Sequence, residues 1–167
     1  GYNIDKKFAV IIPTYRRLDG SSYDKLSQVY DFLMKQTYQN FKVFMIGDNY
    51  DDNIEFNNIV SLFPNEKIYS YNNSISYREG YFNIKRNKWC SGGVLALFKG
   101  INEAIDQGYM YYVHLDDDDI WMSNHIENIN NTIDNHPEVD FIVNKSKYLN
   151  KFLPDEFNGN YNIKVDY

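Results

Sequence analysis

Four consecutive aspartates, Asp116–Asp119, follow directly on the apolar stretch Met110–Leu115, and this junction constrains the fold more than any other feature. Neighbouring carboxylates repel one another, so a fold that places them beside a buried strand loses stability unless positive charge arrives to share them. Acidic runs are most often solvated loops or tails. The apolar strand before this run and Ile120–Met122 after it indicate a pinned segment, and ligands of open parallel sheets bind at such strand ends. We therefore predict a binding site here.

A divalent cation would supply the positive charge that the acidic run lacks. Oxygen ligands with no nearby cysteine suit Mg²⁺ or Mn²⁺ rather than Zn²⁺. Such a metal usually accompanies a diphosphate. A calcium-binding helix-loop-helix is disfavoured, because the run lacks the glycine and the later glutamate of that motif.

The whole chain sets broader limits on location and partners. At 167 residues it is long enough to bury one core, so we expect a single domain over residues 1–167. A net charge of -6 disfavours nucleic-acid partners. No apolar run approaches the roughly 18 residues of a membrane span, and no secretory leader is evident. The lone cysteine, Cys90, fits a reducing compartment, and we expect a cytoplasmic location.

Apolar runs of strand length alternate with stretches of helical spacing. The predicted strands are Phe8–Ile12 (ended by Pro13, which lacks an N–H), Lys42–Ile46, Lys67–Tyr71, Met110–Leu115 and Val139–Val143. Between them, helical spacing predicts four helices. The first runs from about Tyr23 to Gln36, and the second carries Ile54 and Ile59. The third begins at Gly92 and is closed by Gly108, and the fourth is capped by Ser123. Residues 72–90 show no steady period and are predicted to form a long loop. This alternation predicts an α/β fold with a mainly parallel sheet covered by helices on both faces.

Several short motifs, in this order, resemble the family-two nucleotide-sugar glycosyltransferases. They are Val10–Arg17 at the opening strand, Gln36–Phe41 at the next helix-to-strand link, Gly47–Asp52 as an acidic turn, and Leu115–Asp119 as a DxD-containing element. The resemblance implies the GT-A fold, which is Rossmann-like and mainly parallel. It also implies a metal-dependent transferase that moves a sugar from a nucleoside diphosphate, most simply UDP, to an acceptor hydroxyl with inversion.

The resemblance carries nucleotide-binding roles onto individual positions. Pro13, Thr14 and Tyr15 correspond to one wall of the nucleotide pocket, where the Tyr15 ring would stack on the base. Asp48 corresponds to the carboxylate that accepts a hydrogen bond from the base imide N–H, which uracil has and cytosine lacks. The alternatives are that Tyr15 is an ordinary packing aromatic and that Asp48 caps a helix.

The acidic run receives its roles from the same resemblance. Asp118 corresponds to the direct metal ligand, Asp116 to a residue that holds the Mn²⁺ or Mg²⁺ ion or its waters, and Asp117 to a contact with the ribose. Four aspartates in a row can be aligned in more than one register. Asp119 is an alternative cap for the segment that follows.

The chain also departs from the family pattern. Leu97–Phe98 stand where the family commonly has Arg-Asn, so a polar contact is lost or supplied from elsewhere, and Gly47 replaces the first aspartate of the acidic turn. The family's catalytic base and acceptor-binding half usually lie well beyond the DxD element, whereas 48 residues follow Asp119 here. We expect Asp155, Glu156 and Asp166 to be surface charges, so the base stays unassigned, and one interpretation is that this sequence lacks the acceptor-binding half.

Two other functions compete with sugar transfer. A nucleotidyltransferase also combines an α/β sheet with carboxylate-bound metal, but it usually has a glycine-rich phosphate loop after its first strand, and Pro13–Arg17 has no glycine. The second alternative is a sugar-nucleotide-binding module without turnover.

Overall fold

The computed structural model describes residues 6–76, 92–144, 146–148, 151–153 and 163–166. The chain divides into two compact units, the first formed by Gly1–Lys35 with Gln39–Trp121 and the second by Gln36–Tyr38 with Met122–Tyr167. The single domain expected from the sequence stays a prediction. Among the described residues, the longest apolar helices fall short of what crossing a bilayer requires.

The first unit alternates strands and helices as the sequence predicts. Its elements are β1 (Phe8–Thr14), α1 (Ser22–Met34), β2 (Phe41–Gly47), α2 (Asn53–Val60), a 3₁₀ turn (Asn65–Lys67), β3 (Ile68–Asn72), α3 (Val94–Asp106) and β4 (Tyr111–His114). The four strands form one parallel sheet in the order β3-β2-β1-β4. Parallel pairing brings the carboxyl ends of all four strands to the same edge.

The core of the first unit lies on both faces of β1. Ala9 and Ile11 belong to an apolar cluster that also contains Ala104 of α3. A Cβ at Gly100 would lie 2.6 Å from Cγ2 of Ile11, so the absent side chain lets α3 approach the sheet closely. Val10 and Ile12, which alternate with these residues, are also fully buried. Burial on both sides of the strand confirms the prediction of a sheet covered on both faces.

Pro13 ends the ladder on one side of β1 only. The Leu115 N–H donates to the Ile11 carbonyl at 2.9 Å, and the next rung toward β4 would need the N–H that Pro13 lacks. Toward β2, pairing continues to Thr14 opposite Gly47. The prediction that the ladder stops at Pro13 is therefore correct toward β4 and wrong toward β2.

The start of α2 and the end of α3 each have an identifiable terminating residue. Asp52 caps α2, because its carboxylate accepts the N–H groups of Ile54 and Glu55. Of the two residues whose spacing predicted this helix, Ile59 is buried and Ile54 is 75% exposed, and Phe56 is the other buried residue. Gly108 has a φ of 86°, as predicted for a residue that closes a helix in the left-handed conformation.

The second unit contains α4 (His125–Asn135), β5 (Phe141–Asn144), β6 (Ser146–Tyr148), β7 (Lys151–Leu153) and β8 (Ile163–Asp166). The predicted fifth strand exists as β5, but it pairs in parallel with β8 in a separate two-stranded sheet. The sequence pattern did not predict β8. Strands β6 and β7 form an antiparallel pair.

The start of α4 differs from the expected serine cap. Asn124 occupies the N-cap position and makes no side-chain cap hydrogen bond. The Gln36 side chain instead accepts the Ile126 N–H at 3.2 Å, while the Ser123 carbonyl accepts the Thr37 N–H at 2.8 Å. The prediction of a Ser123 cap, and the alternative cap at Asp119, are therefore wrong. A residue distant in sequence satisfies the helix terminus in their place.

Candidate functional site

A cleft of about 430 Å³ lies at the carboxyl ends of β1, β2 and β4, and its lining lies entirely within the first unit. This is within the size range of small-molecule sites, roughly 300–1,000 Å³. The lining includes every residue that the sequence singled out for the site: Pro13, Thr14, Tyr15, Asp48, Asp116, Asp117 and Asp118. The structure therefore brings all seven together, and their individual roles stay predictions.

Asp48 is held at the end of β2 by contacts on its backbone and its side chain. Its N–H donates to the Thr14 carbonyl at 2.6 Å, which joins the ends of β1 and β2. Its carboxylate is 4% exposed and accepts the Ser76 hydroxyl at 2.8 Å. Because Asp52 is the residue that caps α2, the helix-cap alternative for Asp48 is wrong.

Thr14 links the cleft to a buried tyrosine. Its hydroxyl donates to Oδ2 of Asp117 at 2.9 Å and lies 2.7 Å from the hydroxyl of Tyr50. Burial raises the pKa of Tyr50 to about 12, so the phenol is neutral at physiological pH. A neutral phenol can donate to Thr14 while Thr14 donates to Asp117, which gives a continuous hydrogen-bonded chain.

Arg17 contacts both sides of the cleft. One terminal nitrogen donates to Oδ1 of Asp117 at 2.7 Å, and the other donates to the Tyr15 hydroxyl at 2.6 Å. The guanidinium carbon also lies 4.5 Å from the centre of the Tyr15 ring. Burial raises the pKa of Asp117, and the Arg17 charge and the Thr14 hydroxyl oppose that shift. Asp117 is thus a buried carboxylate with a neighbour on each oxygen.

The flanking carboxylates are much more open. The side chains of Asp116 and Asp118 are 59% and 52% exposed, and both line the cleft. His114 Nε2 lies 3.0 Å from Asp116 and its hydrogen bond lowers the pKa of that carboxyl. Asp119 is not among the lining residues, and burial together with Asp116 and Asp118 raises its pKa. Three carboxylates of the run therefore line the cleft, and of these Asp117 is buried while Asp116 and Asp118 are open.

The start of α3 forms a further part of the cleft lining. Gly93 has a φ of 81°, which favours glycine, and a Cβ there would lie 3.6 Å from Cβ of Pro13. Leu97, one of the residues that depart from the family pattern, lines the cleft with an apolar side chain. Arg17 is a cation that lines the same cleft, although the sequence reasoning gave it no role.

Sequence reasoning missed four residues at or behind the cleft: Arg17, Tyr50, Ser76 and His114. Arg17 carried a usable signal, since residues two apart in an extended segment point to the same side and Tyr15 was already a candidate. Tyr50 and Ser76 carried none, because each reaches the site through a contact made only in the folded chain.

Comparison with known proteins gives curated relatives that are glycosyltransferases. A family model described as glycosyl transferase family 2 matches residues 9–163. An uncharacterised glycosyltransferase of Acanthamoeba polyphaga mimivirus is 38% identical over 156 residues, covering 90% of this chain and 62% of the relative. One of Rickettsia felis is 29% identical and is matched over 23% of its own length. The chain thus spans less than two thirds of the curated relatives that it matches.

Solved structures of Staphylococcus aureus TarS have the same fold. The structure of its residues 1–349 superposes with a TM-score of 0.65 at 20% identity, covering 87% of this chain and 37% of that one. A TarS structure in complex with UDP-GlcNAc gives 0.62 at 21% identity, with 89% and 37% covered. The GT-A fold expected from the sequence is confirmed.

The family match disfavours the nucleotidyltransferase alternative, because it spans nearly the whole described chain and includes every candidate site residue. The parallel sheet, the cleft at its carboxyl edge and the acidic run beside it agree with this match. This chain belongs to glycosyl transferase family 2.

Proposed function

We propose that this chain binds the nucleoside diphosphate part of a UDP-sugar, with a divalent cation, in an enzyme that transfers the sugar to an acceptor hydroxyl with inversion. One observation carries the proposal: a buried carboxylate, an aromatic ring and two open carboxylates converge on one cleft at the sheet edge. The TarS structures in complex with UDP and with UDP-GlcNAc support the choice of donor. A cytoplasmic location stays a prediction.

The base end of the cleft suits uracil. Asp48 is buried and held by Ser76, so its carboxylate is oriented before any ligand arrives. A carboxylate only accepts hydrogen bonds when it is ionised, and uracil offers an imide N–H where cytosine offers a ring nitrogen acceptor. We therefore infer that Asp48 selects uracil over cytosine and that the Tyr15 ring stacks on the base.

The diphosphate end suits a cation that is shared with the ligand. Within the part of the chain that the structure describes, no three His, Cys, Asp or Glu side chains are grouped to hold a metal ion by themselves. Mg²⁺ is usually held by one or two carboxylates together with substrate phosphates, and Mn²⁺ also favours oxygen ligands. Asp116 and Asp118 offer that donor set from the cleft wall, with Asp118 proposed as the direct ligand. Asp117 would contact the ribose through acceptor positions that Arg17 and Thr14 leave available, since a carboxylate accepts up to about four hydrogen bonds.

Transfer breaks the bond between the anomeric carbon and the diphosphate and forms a bond to the acceptor oxygen. Positive character develops on the sugar and negative charge on the departing diphosphate. A bound divalent cation stabilises that negative charge. The role of this chain's residues is to bind and orient the donor, and a carboxylate base from outside the assigned residues would take the acceptor proton.

Titration calorimetry with UDP, GDP, dTDP and CDP, each with and without Mn²⁺, tests donor binding. UDP with Mn²⁺ should bind most tightly, and CDP should bind at least about tenfold more weakly, since its base places an acceptor nitrogen, and not an N–H, against the buried carboxylate of Asp48. Asp48→Asn should weaken UDP and narrow the gap to CDP, because an amide can donate to cytosine. Asp51→Asn is the matched control, since Asp51 is 77% exposed and does not line the cleft.

Turnover separates the enzyme from a binding module without activity. The full-length gene product with Mn²⁺ should release UDP from UDP-GlcNAc, or from another UDP-sugar, faster than the Asp118→Asn variant. Binding of UDP with no release from any UDP-sugar would favour the module. No binding of any nucleotide would contradict the proposal altogether.

A further inference from the structure

We propose that Arg17 is a positioning residue that couples the two ends of the cleft, holding the Tyr15 ring on the base side and the acidic run on the diphosphate side. The inference rests on the proposed function, because it assigns to Arg17 a part in nucleotide binding. No family motif that we used gives this residue a role.

The first contact fixes the acidic run. Arg17 binds Oδ1 of Asp117 while Thr14 binds Oδ2, so both oxygens of this 6% exposed residue are held. With Asp117 held in this way, the side chains of Asp116 and Asp118, which are 59% and 52% exposed, stay open at the cleft. The same guanidinium nitrogen lies 3.6 Å from Asp118. Arg17 therefore sets the register that four identical residues in a row leave open.

The second contact fixes the aromatic wall. Arg17 donates to the Tyr15 hydroxyl at 2.6 Å and stacks near the ring at 4.5 Å. A guanidinium is planar and carries several donors in a rigid fork, so one side chain can hold a carboxylate and a phenol together. Lysine carries the same charge but has a single nitrogen and no planar face.

The backbone around Arg17 is also anchored. The Arg17 N–H donates to the Ser22 hydroxyl at 2.7 Å, and that hydroxyl donates to the Tyr15 carbonyl at 3.1 Å. Ser22 is fully buried. The adjacent Arg16 provides a contrast, since its exposed side chain pairs with Glu55 and Asp51 outside the cleft.

The test compares Arg17→Met, Arg17→Lys and the control Arg16→Met. Two probes are titrated: UDP with Mn²⁺, and uridine without metal, the second by competition against UDP. Uridine has no phosphate, so a residue that acts only through charge on the diphosphate leaves its affinity unchanged. Circular dichroism and the Tm of each variant without ligand establish that it is folded.

If Arg17 couples both ends, Arg17→Met weakens UDP with Mn²⁺ by at least about tenfold and also weakens uridine. Arg17→Lys recovers more of the UDP affinity than of the uridine affinity, because its charge can pair with Asp117 but its single nitrogen does not also restore the contact with Tyr15. Arg16→Met stays within about twofold of the wild type for both probes. If Arg17→Met does not fold, uridine binding by Arg17→Lys decides the question in the same way.

A loss confined to UDP, or uridine affinity restored by lysine, would overturn the coupling and leave the proposed function standing. Wild-type affinity of Arg17→Met for both probes would do the same. Failure of the wild type to bind UDP would instead overturn the proposed function, and this inference with it.

Discussion

Two acidic segments leave the same edge of the sheet, Gly47–Asp52 after β2 and Asp116–Asp119 after β4, and they differ in how their charges are satisfied. In the first segment each carboxylate has a neighbour of its own. Asp52 caps α2, Asp51 pairs with Arg16 at 3.3 Å, and Asp48 accepts the Ser76 hydroxyl.

In the second segment the charges are crowded. Asp117 holds the Arg17 guanidinium at 2.7 Å, and the same group lies 3.6 Å from Asp118. Burial and the neighbouring carboxylates raise the pKa of Asp119. Asp117 and Asp118 thus share one cation, whereas the carboxylates of the first segment have separate neighbours. This difference shows why an additional cation would stabilise the second segment and not the first.

The largest expected effect comes from Asp118→Asn. If the second segment holds a cation with the ligand, this change weakens UDP binding in Mn²⁺ by roughly 100-fold. Removal of a group that only hydrogen-bonds to a metal ligand costs up to about that much, and Asp118 is proposed as a ligand itself. Asp51→Asn in the first segment should change it by less than about twofold. Calorimetry measures both, and equal effects would remove the proposed difference between the segments.

A stability effect is expected at the start of the first segment. A Cβ at Gly47 would lie 2.6 Å from Oδ1 of Asn72, and that side chain is fixed by two hydrogen bonds to the Tyr50 backbone. Gly47→Ala should therefore lower the free energy of unfolding by roughly 1–3 kcal/mol. Urea unfolding measures the change in the free energy of unfolding. The control is Asp118→Asn, at a half-exposed position, which should leave the stability without Mn²⁺ nearly unchanged. Gly20→Ala does not serve as a control, because Gly20 has a φ of 77° and an alanine there would itself be strained.

Asp52→Ala sharpens the comparison by removing a carboxylate whose role is local. Loss of the cap should cost about 1 kcal/mol of stability. UDP affinity should not change, because Asp52 does not line the cleft. Chemical unfolding and calorimetry on the same preparation would show this split, and a joint loss of both would mean that the segments are coupled.

Tyr50→Phe probes the chain that joins the two segments through Thr14. At neutral pH the variant should be less stable by about 1 kcal/mol, because one hydrogen bond is lost. The folded pKa of about 12 lies above the ordinary 10.0, so the wild type is stabilised below pH 10 and loses that stability as pH rises toward 12. The difference from Tyr50→Phe should therefore shrink at high pH, as unfolding at a series of pH values would show. A constant difference would mean that the phenol does not titrate with folding.

Local signals in the sequence were enough to predict most of the fold of the first unit. Apolar runs predict its strands and helical spacing predicts its helices, and their alternation indicates a parallel sheet. Local reasoning failed in two places, and in the second of them a distant residue is responsible. Ile54 had helical spacing but faces solvent, and Gln36 satisfies the start of α4 across 90 residues of chain.

The candidate site divides in the same way. Carboxylates and an aromatic ring at strand ends could be identified because their chemistry is visible in the residue types. Three contacts could not be predicted: Arg17 with Asp117, Tyr50 with Thr14 and Ser76 with Asp48. The two residues of each pair are separated by 28 to 100 positions in the sequence.

The sequence by itself determined the four strands of the first unit to within about two residues, and that four negative charges stand together at the end of one of them. Only the tertiary structure decided which aspartate turns inward, because identical side chains carry no local preference. The choice depends on where Thr14 and Arg17 lie after β1 and β4 have paired. Charge repulsion acts between neighbours in sequence, whereas its relief comes from groups that folding brings near.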